Sequence, residues 1–196
     1  MFNEGNASHS AALSAPLMAA YDFGSFRRLA DIGGGTGRLI ADILAAHHSM
    51  RGTLFDLPNV VAGAPALLEA SGVKARCEVV GGSFFDGVPP GADAYLLRAI
   101  LHDWDDERSI TILKSVRKAA AKDAVLLIVE RVLPEKAEAG NVVDSYLLDL
   151  EMLVNTPGGR ERSESEFREI LNAAGFGPLR LIPTSTATSL LEARPA

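Results

Sequence analysis

The fold is indicated most clearly by residues 29–44, which read LADIGGGTGRLIADIL. An apolar run ends at Asp31 and Ile32, a glycine-rich loop follows at 33–37, and apolar residues then recur at spacings of three and four. This order is typical of a buried strand, a tight loop and an amphipathic helix. Because glycine has no Cβ atom, such a loop can approach a ligand closely. The stretch therefore predicts a nucleotide-binding loop at the end of a strand.

Further apolar runs alternate with helical patterns as far as residue 174. The five predicted strands are RRLADI (27–32), RGTLFDL (51–57), RCEVVGG (76–82), DAYLLRAI (93–100) and AVLLIVERV (124–132). Strands that are apolar on both faces and separated by helices belong to a parallel sheet that is covered on two sides. We therefore expect an α/β fold.

The end of the chain follows a different pattern. Residues 163–176 predict a helix that is capped by Ser163 and Glu166 and stopped by Gly175. The next two apolar runs, GPLRLIPT and TSLLEARP, are too close together for a crossover helix, so they should pair antiparallel. A mostly parallel sheet closed by such a hairpin is unlike most doubly wound nucleotide-binding folds and favours the methyltransferase variant.

Composition narrows the classes of partner. Hydrophobic residues make up 47% of the chain and charged residues 22%, which suits one well-packed core. A net charge of −6 without a basic run argues against nucleic-acid binding. Cys77 is the only cysteine, which excludes an intrachain disulfide and a cysteine-based zinc site. No run is long enough to span a membrane and no signal peptide is recognisable, so we expect a cytoplasmic protein without a membrane partner.

Two ligands suit a strand, glycine loop and helix in this order: a nicotinamide dinucleotide and S-adenosylmethionine. The dinucleotide loop follows Gly-x-Gly-x-x-Gly, but the sixth position counted from Gly33 is Arg38. The amino group of S-adenosylmethionine is cationic, and the carboxylate of Asp31 would suit it. Asp56 lies one residue before the end of the second predicted strand and 21 residues after Gly35, where a carboxylate can accept hydrogen bonds from both ribose hydroxyls. Together these features favour S-adenosylmethionine.

A candidate catalytic base follows the fourth predicted strand, in RAILHDWDDERS (98–109). His102 lies just past the strand's carboxyl end, where ligands of open α/β sheets bind. Methylation of a phenolic hydroxyl, whose pKa is about 10, requires a base, and histidine can take up the proton and release it. Asp103, Asp105 and Asp106 could suggest a metal site, but the acidic start of a helix explains them more simply, and we expect no metal.

Five motifs occur in an order that resembles a known enzyme family. They are DIGGGTG (31–37), FDLP (55–58), LHDWDDE (101–107), VERVLP (129–134) and PGGRERSESEF (157–167). Their order and spacing are similar to those of the small-molecule O-methyltransferases, which include caffeate, flavonoid and hydroxyindole enzymes and relatives in bacterial polyketide and antibiotic pathways. The resemblance implies a class I methyltransferase fold, Rossmann-like with a seven-stranded sheet. It also implies methylation of a hydroxyl on a small aromatic or polyketide-like molecule, with S-adenosylhomocysteine as product.

The resemblance further implies roles for single residues. His102 would be the general base, flanked by Glu130 and Glu161, although by itself either glutamate could equally face solvent. The cofactor would be held by Asp31, Gly33, Gly35, Asp56, Ser83, Phe84 and Arg98, and the acceptor would contact Met152 and Asn155. Ser83 stands where the family usually has an acidic residue near adenine, so we expect weaker cofactor affinity. Thr156 replaces a common asparagine, so the acceptor's identity is not predicted.

The resemblance also bears on domain organisation. Relatives usually carry an N-terminal helical domain that dimerises and closes the partner's substrate pocket, and we recognise no counterpart to it here. We expect a helical segment at 1–25 and a catalytic domain at 26–196, with a homodimer possible in a full-length form. Three other functions stay open: a hydroxylase or decarboxylase of the same fold that uses the bound cofactor, a non-catalytic S-adenosylmethionine-binding module, and a nicotinamide-dependent oxidoreductase.

Overall fold

The computed structural model describes residues 14–135 and 158–196. The strands are β1 Arg28–Ile32, β2 Arg51–Asp56, β3 Cys77–Gly81, β4 Ala94–Arg98, β5 Val125–Glu130, β6 Val132–Leu133, β7 Arg162–Ser163, β8 Arg180–Pro183 and β9 Ser189–Ala193. The helices are α1 Arg38–Ala46, α2 Pro58–Val61, α3 Ala64–Ala70, α4 Asp106–Ala119 and α5 Glu164–Ala173, and residues 14–20 are also helical. Within these described ranges, no helix combines the length and apolarity needed to cross a membrane.

Seven strands form one sheet of order β3-β2-β1-β4-β5-β9-β8. The first five run parallel, whereas β9 pairs antiparallel with β5, and β8 pairs antiparallel with β9. Residues 184–188 between β8 and β9 leave no room for a crossover, so these strands form a hairpin. The predicted α/β fold, with a mostly parallel sheet and an antiparallel C-terminal hairpin, is therefore confirmed.

Side chains of the central strands alternate between two hydrophobic cores. Leu29 and Leu96 belong to the core formed with α1 and α3, whereas Ala30 and Leu97 belong to the core formed with α4 and α5. Successive side chains of a strand point to opposite faces, so a strand that is covered on both sides must be apolar throughout. This explains the continuous apolar runs of the sequence. Leu17, from the helical residues 14–20, packs in the first core.

The strand order creates a crevice at one edge of the sheet. β1 and β4 are neighbours, but the chain continues from β1 toward β3 on one side and from β4 toward β5 on the other. Loops therefore diverge at the carboxyl ends of β1 and β4, and ligands of open α/β sheets bind at such a point. The glycine loop leaves β1 and the turn bearing His102 leaves β4, so both border this crevice.

All five predicted strands are longer than the observed ones, by one to three residues, and the fourth and fifth differ most. The fourth was expected to reach residue 100, but it ends at Arg98 because Ala99 has a φ of 52° and leaves the extended conformation. The fifth was expected to reach residue 132, but it ends at Glu130. Strand β6 pairs instead with β7 in a separate two-stranded parallel sheet, which the sequence analysis did not predict.

Helix boundaries follow the predicted capping residues. The Ser163 hydroxyl accepts from the backbone N–H of Glu166, and the Glu166 carboxylate accepts from the backbone N–H of Ser163, so the predicted capping box is confirmed. Gly175, with a φ of 82°, follows the end of α5. Asp105 caps α4 by accepting a hydrogen bond from the backbone N–H of Arg108. The acidic cluster therefore does begin a helix, as expected.

The close approach of β2 to α1 gives a stability prediction. A Cβ atom at Gly52 would lie 2.7 Å from Ile40 Cδ1 and 2.9 Å from Leu44 Cδ1, and both side chains are fully buried. Gly52→Val should therefore lower the free energy of unfolding by about 1–3 kcal/mol in urea denaturation. Gly63→Val is the control, because a Cβ there meets no described atom within 4 Å. Equal losses in the two variants would contradict the prediction.

Candidate functional site

Three side chains from separate parts of the chain meet at the crevice. His102 lies in the turn after β4, Glu130 ends β5, and Glu161 precedes β7. His102 Nδ1 is 3.5 Å from Glu130 Oε2 and 3.6 Å from Glu161 Oε1. Both glutamates are buried, whereas 22% of the His102 side chain is exposed. The structure therefore brings together the three residues predicted as the catalytic set, and neither glutamate faces solvent.

Glu130 is bonded to the turn that carries His102. Its Oε1 accepts hydrogen bonds from the backbone N–H groups of Ile100 and Leu101, each at 2.9 Å. A buried carboxylate requires such donors, because removing it from water without hydrogen bonds is costly. The two bonds occupy Oε1, and Oε2 is the oxygen that faces the imidazole. Glu130 thus fixes the turn and also places a negative charge beside His102.

Glu161 reaches the site through the two-stranded sheet. Strand β7, which begins directly after Glu161, pairs with β6, which begins two residues after Glu130. On the other side of Glu161, the backbone N–H of Arg160 donates to the carbonyl oxygen of His102 at 2.8 Å. The chain is therefore anchored on both sides of Glu161 to elements that carry the other two residues.

These carboxylates change the proton affinity of His102. Burial lowers the pKa of the imidazole, but Glu161, Glu130 and Asp103 raise it, and the net result is a pKa raised to about 9. The pKa of the Glu130 carboxyl is also raised, because burial outweighs the opposing effect of His102. The arrangement stabilises an imidazolium, which is the form that histidine reaches after taking a proton from a substrate.

The second ring nitrogen lies on the side away from the glutamates. His102 Nε2 is 3.6 Å from Oδ1 of Asp103, whose side chain is about half exposed. Because Nδ1 faces the two glutamates, Nε2 is the nitrogen placed to exchange a proton with a ligand. Asp103 was not predicted to belong to this site, since an aspartate next to a histidine has no distinguishing pattern in the sequence.

The same cluster has a spacing that would admit a metal ion. His102, Glu130 and Glu161 each offer a donor atom, and these atoms lie within 4.8 Å of one another. Asp105 and Asp106 suggested a metal site in the sequence, but they have other partners. Asp105 caps α4, and Asp106 forms an ion pair with Arg162. The expectation of no metal stays a prediction.

The glycine loop is shaped around a carboxylate and an open space. A Cβ atom at Gly34 would lie 2.6 Å from the carboxyl group of Asp31, so this glycine makes room for the aspartate. Gly35 has a φ of 61°, and a Cβ there would meet no described atom within 4 Å. The loop at Gly35 therefore borders free volume in which a ligand can contact the backbone closely.

Asp31 is buried with one oxygen unsatisfied. Among residues 14–135 and 158–196, Asp31 Oδ2 has no hydrogen-bond partner. Burial raises the pKa of this carboxyl to about 7, although the charge of Arg98 opposes the rise. An unsatisfied buried acceptor is unfavourable in the ligand-free protein, and a cationic N–H donor of a ligand would satisfy it. Asp31 therefore fits the predicted role of binding an amino group.

Asp56 adjoins the same loop from β2. Its Oδ2 accepts from the backbone N–H of Gly35 at 2.8 Å, and its Oδ1 accepts from the backbone N–H of Leu57 at 2.6 Å. Each carboxylate oxygen has a further lone pair, so both can still accept a hydroxyl group of a ligand. The structure thus joins two predicted cofactor residues, Gly35 and Asp56, by a direct hydrogen bond.

Aromatic rings line the crevice beside the loop. The Phe84 ring lies over Gly33, with its Cε1 3.7 Å from the position of a Cβ there. Phe84 and Phe85 each meet Trp104 edge to face, with centroid separations of 6.2 and 4.9 Å. The hydroxyl of Ser83 accepts from the backbone N–H of Phe85 at 3.2 Å, which fixes the turn that presents Phe84. These rings form an apolar wall suited to a planar group.

Of the remaining predicted site residues, Arg98 is described by the structure, whereas the two predicted acceptor contacts are not. Arg98 ends β4, where burial lowers its pKa while the nearby charges of Asp31 and Glu130 raise it. It therefore lies close enough to interact electrostatically with both Asp31 and Glu130. Met152 and Asn155, predicted to contact the acceptor, lie outside the described residues.

One residue of the site was missed from the sequence. Arg162 is fully buried and donates hydrogen bonds to the carbonyl oxygens of Leu101 and Trp104, on either side of His102. In the sequence it stands in the charged stretch RERSESE, which is typical of a solvated helix start. No local pattern distinguishes a buried arginine from an exposed one, so only the structure identifies it.

Comparison with known proteins identifies the family. The profile of the O-methyltransferase domain matches residues 1–177. The chain belongs to the O-methyltransferase family. It is 44% identical over 195 residues to a phenazine O-methyltransferase of Lysobacter antibioticus, covering 100% of this chain and 56% of that protein. It is 46% identical over 177 residues to an O-demethylpuromycin-O-methyltransferase of Streptomyces alboniger, covering 89% and 47% of the two proteins.

A solved structure of the same family has a closely similar fold. It is an O-methyltransferase from neocarzinostatin biosynthesis, in complex with S-adenosylmethionine and 2-hydroxy-5-methyl naphthoic acid. The TM-score is 0.85 at 33% identity, covering 97% of this chain and 57% of that one. The class I methyltransferase fold predicted from the sequence is thereby confirmed. The chain spans about half the length of the curated relatives it matches.

Asp31 gives a prediction about stability. Its pKa of about 7 exceeds the ordinary value of 3.8, so between these pH values the folded protein keeps a proton that the unfolded chain loses. The free energy of unfolding therefore falls as the pH rises from 3.8 to about 7. Asp31→Asn should therefore raise the free energy of unfolding at pH 8 by up to about 4 kcal/mol, and change it little at pH 4, in urea denaturation. Exposed Asp123→Asn serves as control. An Asp31→Asn variant that is no more stable than the parent at pH 8 would contradict this prediction.

Proposed function

We propose that this chain is the catalytic part of an S-adenosylmethionine-dependent O-methyltransferase that acts on a hydroxyl group of a small aromatic or polyketide-like molecule. Family membership supports this, as do the phenazine and puromycin enzymes among its relatives and the cofactor and naphthoic acid bound to its structural neighbour. One observation carries the proposal: His102, beside the glycine loop, faces two buried glutamates with Nδ1 and leaves Nε2 on the opposite side.

The residues around the glycine loop fit the cofactor. Asp31 would bind the amino group through its unsatisfied Oδ2, and Asp56 would accept the ribose hydroxyls. Phe84 offers an apolar surface for adenine, and the neutral hydroxyl of Ser83 offers hydrogen bonding without charge, so we expect modest cofactor affinity. When bound, S-adenosylmethionine supplies a methyl group that its sulfonium centre activates for transfer to oxygen.

The chain itself supplies the proton chemistry. A phenolic hydroxyl with a pKa of about 10 is mostly protonated at neutral pH, so a base must remove its proton as the oxygen reacts. His102 would accept this proton at Nε2. Glu130 and Glu161 would hold the ring from Nδ1 and stabilise the imidazolium, and their burial strengthens this effect because the local dielectric constant is low. The exposed part of the ring gives the proton a path to water.

Replacement of His102 tests its role as the base. His102→Gln should abolish methyl transfer to a panel of phenols, with a loss of about 100-fold or more, because glutamine cannot take up the proton. Affinity for S-adenosylhomocysteine, measured by calorimetry, should stay within about twofold, since Asp31 and Asp56 are unchanged. Exposed His48→Gln is the matched control and should retain activity.

The outcomes separate the proposed function from its alternatives. Loss of both cofactor binding and activity in His102→Gln would indicate a structural histidine. Cofactor binding by the parent chain without methylation of any phenol would favour a non-catalytic binding module, and hydroxylated or decarboxylated products would favour the related chemistries of the fold. The homodimer, the cytoplasmic location and the domain boundary at residue 26 stay predictions.

The rate of methyl transfer should depend on pH. His102 must be neutral to act as a base, and its pKa in the ligand-free chain is raised to about 9. A cationic ligand nearby lowers the pKa of an imidazole, so the rate should rise with pH and level off between about 7 and 9. Two phenols with different pKa values distinguish His102 from the acceptor as the titrating group. An inflection of the pH–rate profile that comes from the phenol moves with the phenol's pKa, whereas one that comes from His102 does not. A flat rate from pH 6 to 9 with both phenols would exclude His102 as the titrating base.

A further inference from the structure

Arg162 makes a hydrogen-bond network that is unusual for a charged residue. Its side chain has no exposed surface. Its Nε donates to Asp106 Oδ1 at 2.9 Å, its Nη1 donates to the Leu101 carbonyl at 2.8 Å, and its Nη2 donates to the Trp104 carbonyl at 2.7 Å. Nη2 also lies 3.2 Å from the hydroxyl of Ser109. Every nitrogen of the guanidinium therefore has an acceptor.

The two carbonyl acceptors enclose the candidate base. Leu101 precedes His102 and Trp104 follows it by two residues, so Arg162 holds the turn on both sides of the imidazole. Ser109, on α4, lies 3.4 Å from both of these carbonyl oxygens and adds weaker contacts. Together with the Glu130 bonds to the preceding amides, these contacts leave the backbone around His102 little freedom to rotate.

Arg162 also joins this turn to the second glutamate. It follows Glu161 directly in the chain and belongs to β7, which pairs with β6. A shift of Arg162 would therefore move the Glu161 backbone and the His102 turn relative to each other. Asp106 fixes the guanidinium from the start of α4 and supplies its counter-charge at the protein surface, where this aspartate is half exposed.

We propose that Arg162 is a positioning residue for the reaction: it sets the distance between the His102 imidazole and the carboxylates of Glu130 and Glu161. The inference rests on the proposed function for its catalytic consequence, but the geometry it describes exists in the ligand-free chain. Arginine is needed because its planar guanidinium reaches three acceptors in different directions. Lysine carries the same charge on one nitrogen and cannot span both carbonyl oxygens and the carboxylate.

The test compares two arginines that bind backbone carbonyls. Arg162→Lys keeps the charge but removes the bridge between Leu101 and Trp104. The matched control is Arg76→Lys, because Arg76 donates to the carbonyl oxygens of Leu44, His47 and Met50, away from the crevice. Three measurements are made on each full chain: melting temperature, the His102 titration by NMR with labelled histidine, and kcat with KM for a phenol. The His102 signal is assigned from His102→Gln.

Both variants should melt at a lower temperature, but only Arg162→Lys should affect the base. In that variant, the pKa of His102 should fall from about 9 by roughly one pH unit or more, because the carboxylates no longer lie at a fixed distance. Its kcat should fall about 10- to 100-fold with little change in KM, which is the effect of a misplaced catalytic group. Arg76→Lys should keep the titration and kcat of the parent chain.

The result that overturns the proposal is an Arg162→Lys variant that melts earlier but keeps the parent titration of His102 and the parent kcat. If Arg162→Lys does not fold, Asp106→Asn replaces it, since it removes the counter-charge from a half-exposed position. It should shift the titration and kcat in the same direction by a smaller amount, and an unchanged titration would again overturn the proposal. If the parent chain methylates no phenol, the proposed function fails, and the NMR titration alone decides the role of Arg162.

Discussion

The carboxylate of Glu130 connects the packing of the sheet to the geometry of the site. Its strand, β5, lies between β4 and β9 and is buried along its whole length, so the side chain starts from a fixed position. One oxygen accepts the amides of Ile100 and Leu101, and the other faces His102. Displacing this carboxylate would leave buried donors and a buried charge unsatisfied. The turn after β4 therefore has one favourable arrangement.

The buried carboxylates of the site are unfavourable for the ligand-free fold. Asp31 is buried with an oxygen that no described residue satisfies, and Glu130 and Glu161 are buried beside a single imidazole. Buried carboxylates oppose folding unless they are paired, and functional sites commonly retain such unfavourable groups. The two hydrophobic cores on either side of the sheet must outweigh this cost, which is consistent with their fully buried aliphatic side chains.

Charges at three neighbouring strand ends couple the two halves of the crevice. Asp31 lies near the end of β1, Arg98 ends β4 and Glu130 ends β5, and these strands are adjacent in the sheet. Arg98 acts on both carboxylates.

The sequence alone determined the local features and the fold class. Continuous apolar runs identified the buried strands, and Ser163 with Glu166 identified a helix start, because each depends on residues close in the chain. The glycine loop with Asp31 and Asp56 predicted the edge of the sheet at which a cofactor would bind. Only the tertiary structure decided how Glu161 reaches His102. The pairing of β6 with β7 and the burial of Arg162 join segments far apart in sequence. The charged stretch around Arg162 has the same sequence pattern whether the guanidinium donates hydrogen bonds to water or to backbone carbonyl oxygens. Only the folded chain places the carbonyl oxygens within reach, so the sequence could not predict these contacts.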